Sequence, residues 1–262
     1  MADADAIREV GASGRPSSAA PVPPPSTAPP DAAVMSLVDH LSELRWRIFK
    51  SLLAVTVGGI AGFAVSEPAI AILRSPIPID QPLVFTGLGD AFGIRLKIAA
   101  VIGIILAMPV LLYQAWQFVA PGLTAEERRM ARPWIPLALF FFALGVGIAY
   151  FVLPFAASFL LGFTTPDLQP LITANAYFEF VTTMFLAFGL VLEFPIVLFG
   201  LSRVGIATSA RLRASRRYVI LGIALFAAVV TPGGDIVSPV TLGLTMFILY
   251  ELTIFFIRRT GR

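Results

Sequence analysis

HLSELRWRIFKSLLAVTVGGIAGFAV, residues 40–65, changes character partway along its length. Its first part carries His40, Glu43, Arg45, Arg47 and Lys50, whereas Ser51 to Val65 carries no charged side chain. An apolar run of this kind reads as a membrane span, because about 20 apolar residues cross about 30 Å of hydrocarbon. Upstream, His40, Glu43, Arg47 and Lys50 recur at spacings of three and four, while Leu37, Leu41, Leu44 and Ile48 form the complementary apolar stripe. SLVD, residues 36–39, fits a capping box with Ser36 as cap and Asp39 reaching back, so the helix is expected to start there. The lead-in is thus an amphipathic helix at the membrane interface. A carboxylate among basic residues is its unexplained feature: Glu43 has Arg47 one turn on and Lys50 two turns on along the same stripe, and a solvated ion pair is the plain reading.

The rest of the chain extends this reading. Of 262 residues 57% are hydrophobic and only 13% charged, and the mean hydropathy is +0.86. Soluble chains average roughly 25% charged, so this is a polytopic membrane protein. There is no cysteine, which excludes disulfides and thiolate metal or redox sites. The net charge of +3 does not mark a nucleic-acid binder, because the basic residues follow membrane topology. Residues 1–34, with RPSSAAPVPPPSTAPPDAA at their centre, have almost nothing to bury and are expected to form a disordered Pro/Ala-rich cytoplasmic tail. This tail lacks the apolar core of a secretory signal, and Asp3, Asp5 and Glu9 speak against a transit peptide.

Six spans are expected in a membrane domain of residues 35–258, at 46–65, 98–118, 133–153, 178–201, 218–231 and 240–257, with a short basic tail at 259–262. The last two are the short ones, flanking TPGGD, residues 231–235; either the bilayer thins around them or the pair is a re-entrant hairpin, and six true crossings are the preferred reading. Arg45, Arg47 and Lys50, then Arg128, Arg129 and Arg132, then Arg203 to Arg217, then Arg258, Arg259 and Arg262 all fall on one side of such a bundle. The other side keeps Arg74, Arg95 and Lys97. The excess of basic residues in cytoplasmic loops therefore places both termini in the cytoplasm. The expected class is an all-α polytopic membrane protein with six transmembrane helices.

Few chemistries fit. Neither Lys50 nor Lys97 follows a glycine, so there is no phosphate-binding loop of the Walker type. His40, the one histidine, lies at the membrane edge, and no facing aspartates stand in the spans, so an intramembrane protease is not expected. The chain reads as no enzyme and needs no cofactor or metal. What remains are carboxylates in and beside the spans. Glu193, in GLVLEFPIVLFG, lies inside the fourth span, where an ionised carboxylate costs on the order of 2.5–3.5 kcal/mol. Pro195 is expected to kink that helix and open carbonyls beside it. A structural glutamate hydrogen-bonded between helices is the plainer alternative. Glu251, in the last span, reads as structural. Glu127 in TAEE closes a second capping box with Thr124, which accounts for it without a binding role.

Taken in order, HLSELRWRI (40–48), FVAPGLTAEERR (118–129), FGLVLEFP (188–195) and TPGGD (231–235) resemble the TatC family, the integral subunit of the twin-arginine protein translocase. LRSPIP (73–78) and MPVLLYQAWQF (108–118) look like the family too, and the resemblance covers about residues 36–258. It implies a receptor that binds signal peptides bearing two consecutive arginines, self-associates, assembles with single-span TatA and TatB-like partners, and moves folded cargo on the proton-motive force. It places arginine-binding carboxylates at Glu43 and Glu127 and an intramembrane polar contact at Glu193. His40, Arg45, Pro76, Phe118 and Pro121 fall on family motifs. Asp235 does so less well, because Pro232, Gly233 and Gly234 replace the family's usual Pro-Pro approach. Guanidinium forks match carboxylates geometrically, which makes paired acids a natural receptor for paired arginines. A rival reading is a proton-coupled secondary transporter of a small solute, with Glu193 as proton carrier. No inverted repeat or matching pair of broken helices supports it.

Overall fold

The computed structural model describes residues 37–75, 83–165, 167, 171–203, 208–231 and 235–259. The tail before residue 35, the Ser36 cap, Pro76, Pro232 to Gly234, and residues 260–262 lie outside the described residues. The chain runs as α1 (Leu37–Ala64), α2 (Ser66–Arg74), α3 (Asp90–Val119), a 3₁₀ turn at Ala120–Gly122, α4 (Ala125–Ala131) and α5 (Trp134–Leu161). It continues as α6 (Ala174–Val191), α7 (Phe194–Arg203), α8 (Ser209–Ala214), α9 (Arg216–Val230) and α10 (Val237–Arg259). Helices are the expected outcome, because in hydrocarbon every backbone N–H and C=O must be satisfied within its own segment.

Among the described residues, five helical stretches are long and apolar enough to cross a membrane: 40–64, 90–122, 134–161, 174–202 and 237–259. The expectation that the last two spans are both short needs correction. α10 has 23 residues and is full-length. Pro239 stands in its first turn, where a missing N–H costs nothing, so the helix begins ahead of the proline instead of after it. α9 alone is short, with 15 residues, or about 22 Å at 1.5 Å per residue.

The fourth span is interrupted where the sequence places Pro195. α6 ends at Val191 and α7 begins at Phe194. Proline has no N–H to offer the carbonyl four residues earlier, and that carbonyl belongs to Val191. α6 is also the most enclosed element. Tyr177, Phe178, Val181, Met184, Phe185, Phe188 and Val191 are all buried among α3, α5 and α10. At one end of the bundle the Lys97 ammonium donates to Asn175 Oδ1 at 3.0 Å and pairs with Glu179 at 3.1 Å, joining the starts of α3 and α6. The Tyr177 hydroxyl donates to the Leu73 carbonyl at 2.6 Å, and an isolated parallel bridge links Val84 to Thr173.

α1 is held differently. It packs chiefly on α3, while Leu41, Trp46, Phe49, Leu52, Val57 and Ile60 remain exposed on its outer side. Exposed apolar faces are the normal state of a helix against lipid, and association then depends on close packing. Glycines provide it. A Cβ added to Gly103 of α3 would lie 2.6 Å from the Gly59 nitrogen, and one added to Gly58 would lie 2.6 Å from the Gly103 carbonyl oxygen. Both clashes are with backbone, which cannot swing aside, so the two helices pass at a distance only glycine permits. Gly103→Val should destabilise the α1–α3 contact by roughly 1–3 kcal/mol, the usual cost of overpacking. Thermal unfolding in detergent should show this as a lowered midpoint. Gly147→Val, at a position where nothing lies within 4 Å of an added Cβ, should leave the midpoint unchanged.

Candidate functional site

The close passage of α1 and α3 sets the polar start of α1 beside the end of α3. The His40 ring lies flat on Phe118, centroids 4.4 Å apart and planes 15° from parallel. Two turns on, Arg47 donates through Nε to Glu43 Oε1 at 3.0 Å and through Nη2 to the same oxygen. Its remaining terminal nitrogen, Nη1, reaches Gln114 Oε1 on α3 at 3.4 Å. Glu43 Oε2 is buried and accepts no hydrogen bond among the described residues; the His40 Nδ1 atom stands 3.8 Å from it. The one-turn pair of Glu43 with Arg47, legible from helical spacing, is therefore present, but it is part-buried and tied across to a second helix. Arg45 is exposed on the same turn.

After Phe118 the chain tightens into the 3₁₀ turn, with Pro121 exposed inside it and Ala120 buried. Arg128 donates from Nε and Nη2 to the Ala120 carbonyl at 3.2 and 2.9 Å, folding α4 back on the turn. The TAEE capping box is formed. Glu127 Oε2 accepts from the Thr124 N–H and hydroxyl, both at 3.0 Å, and the Glu127 N–H donates to Thr124 Oγ1 at 3.3 Å. The cap holds Glu127 in one orientation at the first turn of α4, close in sequence to the His40–Phe118 stack. The structure thus brings His40, Glu43 and Phe118 into contact and sets Glu127 on the short helix that follows.

The other two carboxylates lie elsewhere. Glu193 sits in the break between α6 and α7, 9% exposed, and its Oε1 is buried with no hydrogen-bond partner among the described residues. The hydrogen bond between helices that the plainer alternative calls for is not made by Oε1 among the described residues. Two residues on, Pro195 and Ile196 line a half-open apolar groove of about 410 Å³ together with Trp134 and Phe141 of α5, Phe199 of α7 and Phe256 of α10. Asp235 caps a helix: its Oδ1 accepts from the Ser238 N–H at 2.5 Å at the start of α10. Glu251 pairs with Arg216 at 2.5 Å, tying α10 to α9, in keeping with its structural reading. Sequence reasoning missed Gln114, the Arg128 anchor and the Lys97 cluster, whose partners are remote in sequence or backbone carbonyls. Only the i,i+4 step from Gln114 to Phe118 hinted that the glutamine faces α1.

A helical bundle of long apolar helices, with a carboxylate–guanidinium cluster at one end and a buried carboxylate in a broken span, is a polytopic membrane protein. Comparison with known proteins narrows this. The family model for the Sec-independent protein translocase protein (TatC) matches residues 39–244. A TatC from Desulforapulum autotrophicum is 38% identical over 229 residues, covering 86% of this chain and 84% of that relative. TatCy of Bacillus subtilis is 34% identical over 223 residues, covering 84% and 87%. A crystal structure of the twin arginine translocase receptor TatC superposes with a TM-score of 0.76 at 34% identity, covering 85% of this chain and 100% of that one. The chain belongs to the TatC family. The small-solute transporter reading finds no support in these likenesses.

Proposed function

We propose that this translocase subunit is the receptor for twin-arginine signal peptides and that Glu43 and Glu127 accept the two signal arginines. The observation that carries this reading is the Glu43–Arg47 contact: the Glu43 carboxylate is already shaped to hold a guanidinium, at the end of the bundle where the α4 cap orients Glu127. An arginine is always charged and presents a rigid fork, whereas a lysine offers a point charge, so such carboxylates favour arginine. One pair at about 4 Å supplies about 1 kcal/mol of Coulomb energy in bulk water and about 4 kcal/mol at an effective dielectric of 20. The remaining affinity comes from the apolar part of the signal lying against exposed helix faces.

The basic end is the cytoplasmic one in this reading, with both termini there and α9 completing a sixth crossing where the bilayer thins around it, a mismatch of modest cost. TatA and TatB-like single-span proteins are the partners, in a self-associating receptor complex of the cell membrane driven by the proton-motive force. Glu193, whose Oε1 is unpaired among the described residues, offers them a polar contact at the break in the fourth span, and an apolar groove between α5, α7 and α10 begins two residues further on at Pro195.

Two measurements test this. Glu43→Gln and Glu127→Gln should each weaken a fluorescent twin-arginine peptide by about tenfold, the loss of one charge-assisted contact, and together should abolish preference over its twin-lysine counterpart. Unchanged binding by the double variant overturns the assignment. The chain has no cysteine, so Arg128→Cys, Arg216→Cys and Arg259→Cys should each react with a membrane-impermeant maleimide from the cytoplasmic side, and Glu67→Cys only from the opposite side. Labelling of Arg216→Cys and Arg259→Cys from opposite sides overturns the sixth crossing.

A further inference from the structure

As the molecule stands, Glu43 has no oxygen to offer a signal arginine. Oε1 takes two donors from Arg47, and Oε2 is sealed, buried without a hydrogen bond among the described residues behind an imidazole that rests on Phe118. The pair is partly withdrawn from solvent, with side-chain exposures of 17% for Arg47 and 21% for Glu43. A receptor carboxylate that is closed at rest needs its occupant to leave and needs somewhere for that occupant to go.

We propose that Arg47 is an internal competitor for the Glu43 seat, and that Gln114 is the acceptor onto which its guanidinium moves when a signal arginine binds. This inference rests on the receptor reading of Glu43. Gln114 is suited to the role. Its Oε1 already lies 3.4 Å from Arg47 Nη1, at the outer limit of a hydrogen bond, so a small rotation of Arg47 shortens that contact while vacating Oε1. It is a neutral acceptor and adds no charge of its own. It stands one turn before Phe118 on α3, so the side of the site that receives Arg47 belongs to the same helix that holds His40 in place.

The exchange has an energetic rationale. A part-buried carboxylate left bare carries a heavy desolvation penalty. Trading one guanidinium for another keeps the carboxylate capped in both states and keeps the displaced charge within the site. The consequence is attenuation: every ligand that draws on Glu43 works against Arg47, so the signal peptide binds more weakly than an unoccupied carboxylate would allow and leaves more easily. Arginine selectivity is a separate matter, because a common competitor weakens arginine and lysine ligands alike. That selectivity stays with the fork geometry of the carboxylates.

The test is equilibrium binding of fluorescent twin-arginine and twin-lysine peptides to the purified full-length chain. Arg47→Gln should tighten the twin-arginine peptide by about fivefold, the size of one partly exposed ion pair, and move the twin-lysine peptide in the same direction. Gln114→Leu should weaken binding, and the double variant should match Arg47→Gln alone, since Gln114 acts only through Arg47. If Arg47→Gln does not fold, Arg47→Lys serves: it keeps the charge without the fork and should give a smaller gain. Weaker or unchanged binding in the Arg47 variants overturns the proposal and makes Arg47 a support for Glu43. Glu43→Gln separates the two readings. If it leaves binding intact, the receptor reading itself fails. If it weakens binding and also cancels the Arg47→Gln gain, both stand.

Discussion

The distance between the backbones of α1 and α3 governs the geometry of the basic end. Among the described residues α1 has no other substantial neighbour, and lipid on its outer side attracts it no more than it attracts any apolar helix. Its position therefore depends on Gly58, Gly59, Gly62 and Gly103 letting the two backbones meet, with an added Cβ at Gly62 only 2.6 Å from the Ala99 carbonyl. The register of that meeting decides what stands opposite what. It lays His40 on Phe118 and puts Arg47 within reach of Gln114. A shift of one residue along either helix would rotate the partner by about 100° and undo both contacts.

Three carboxylates in this chain show three different ways of handling charge near a membrane. Glu43 is held by a guanidinium that also touches a second helix. Glu127 is held by hydrogen bonds of its own helix start, where the dipole favours an anion. Glu193 has an oxygen with no such partner among the described residues, and it stands where Pro195 has broken the helix and backbone groups are already out of register. The first two are engaged at rest, Glu43 through Oε1 alone, yet both are only half-buried, which suits groups that exchange partners. The third is buried at the break in an apolar span.

How far these features were legible in the sequence depends on how local they are. The TAEE cap and the Glu43–Arg47 pair lie within one helical turn, so their spacing alone announced them. The break in the fourth span followed from a single proline, Pro195, which has no N–H to donate to the Val191 carbonyl. α10 was misjudged because Pro239 looks like a helix boundary, although in a first turn it is no obstacle. Gln114 carried no signal of its own: a glutamine in an apolar run acquires a role only when α1 crosses α3 at this register. Lys97 read as a topology marker, but its partners Asn175 and Glu179 lie on a helix that only folding brings near. Local hydrogen bonding and periodicity are written in the sequence, whereas the pairing of residues across helices depends on packing.

The central claim is that one end of this bundle presents two carboxylates, on α1 and α4, to a single signal peptide. Photocrosslinking tests it most directly, with a photoreactive amino acid placed at exposed Ser42 or Glu126 and a twin-arginine peptide as the probe. Both positions should capture the peptide through residues flanking its paired arginines, and capture should fall sharply for the twin-lysine peptide. Capture from only one of the two positions, or equal capture of both peptides, would contradict the account.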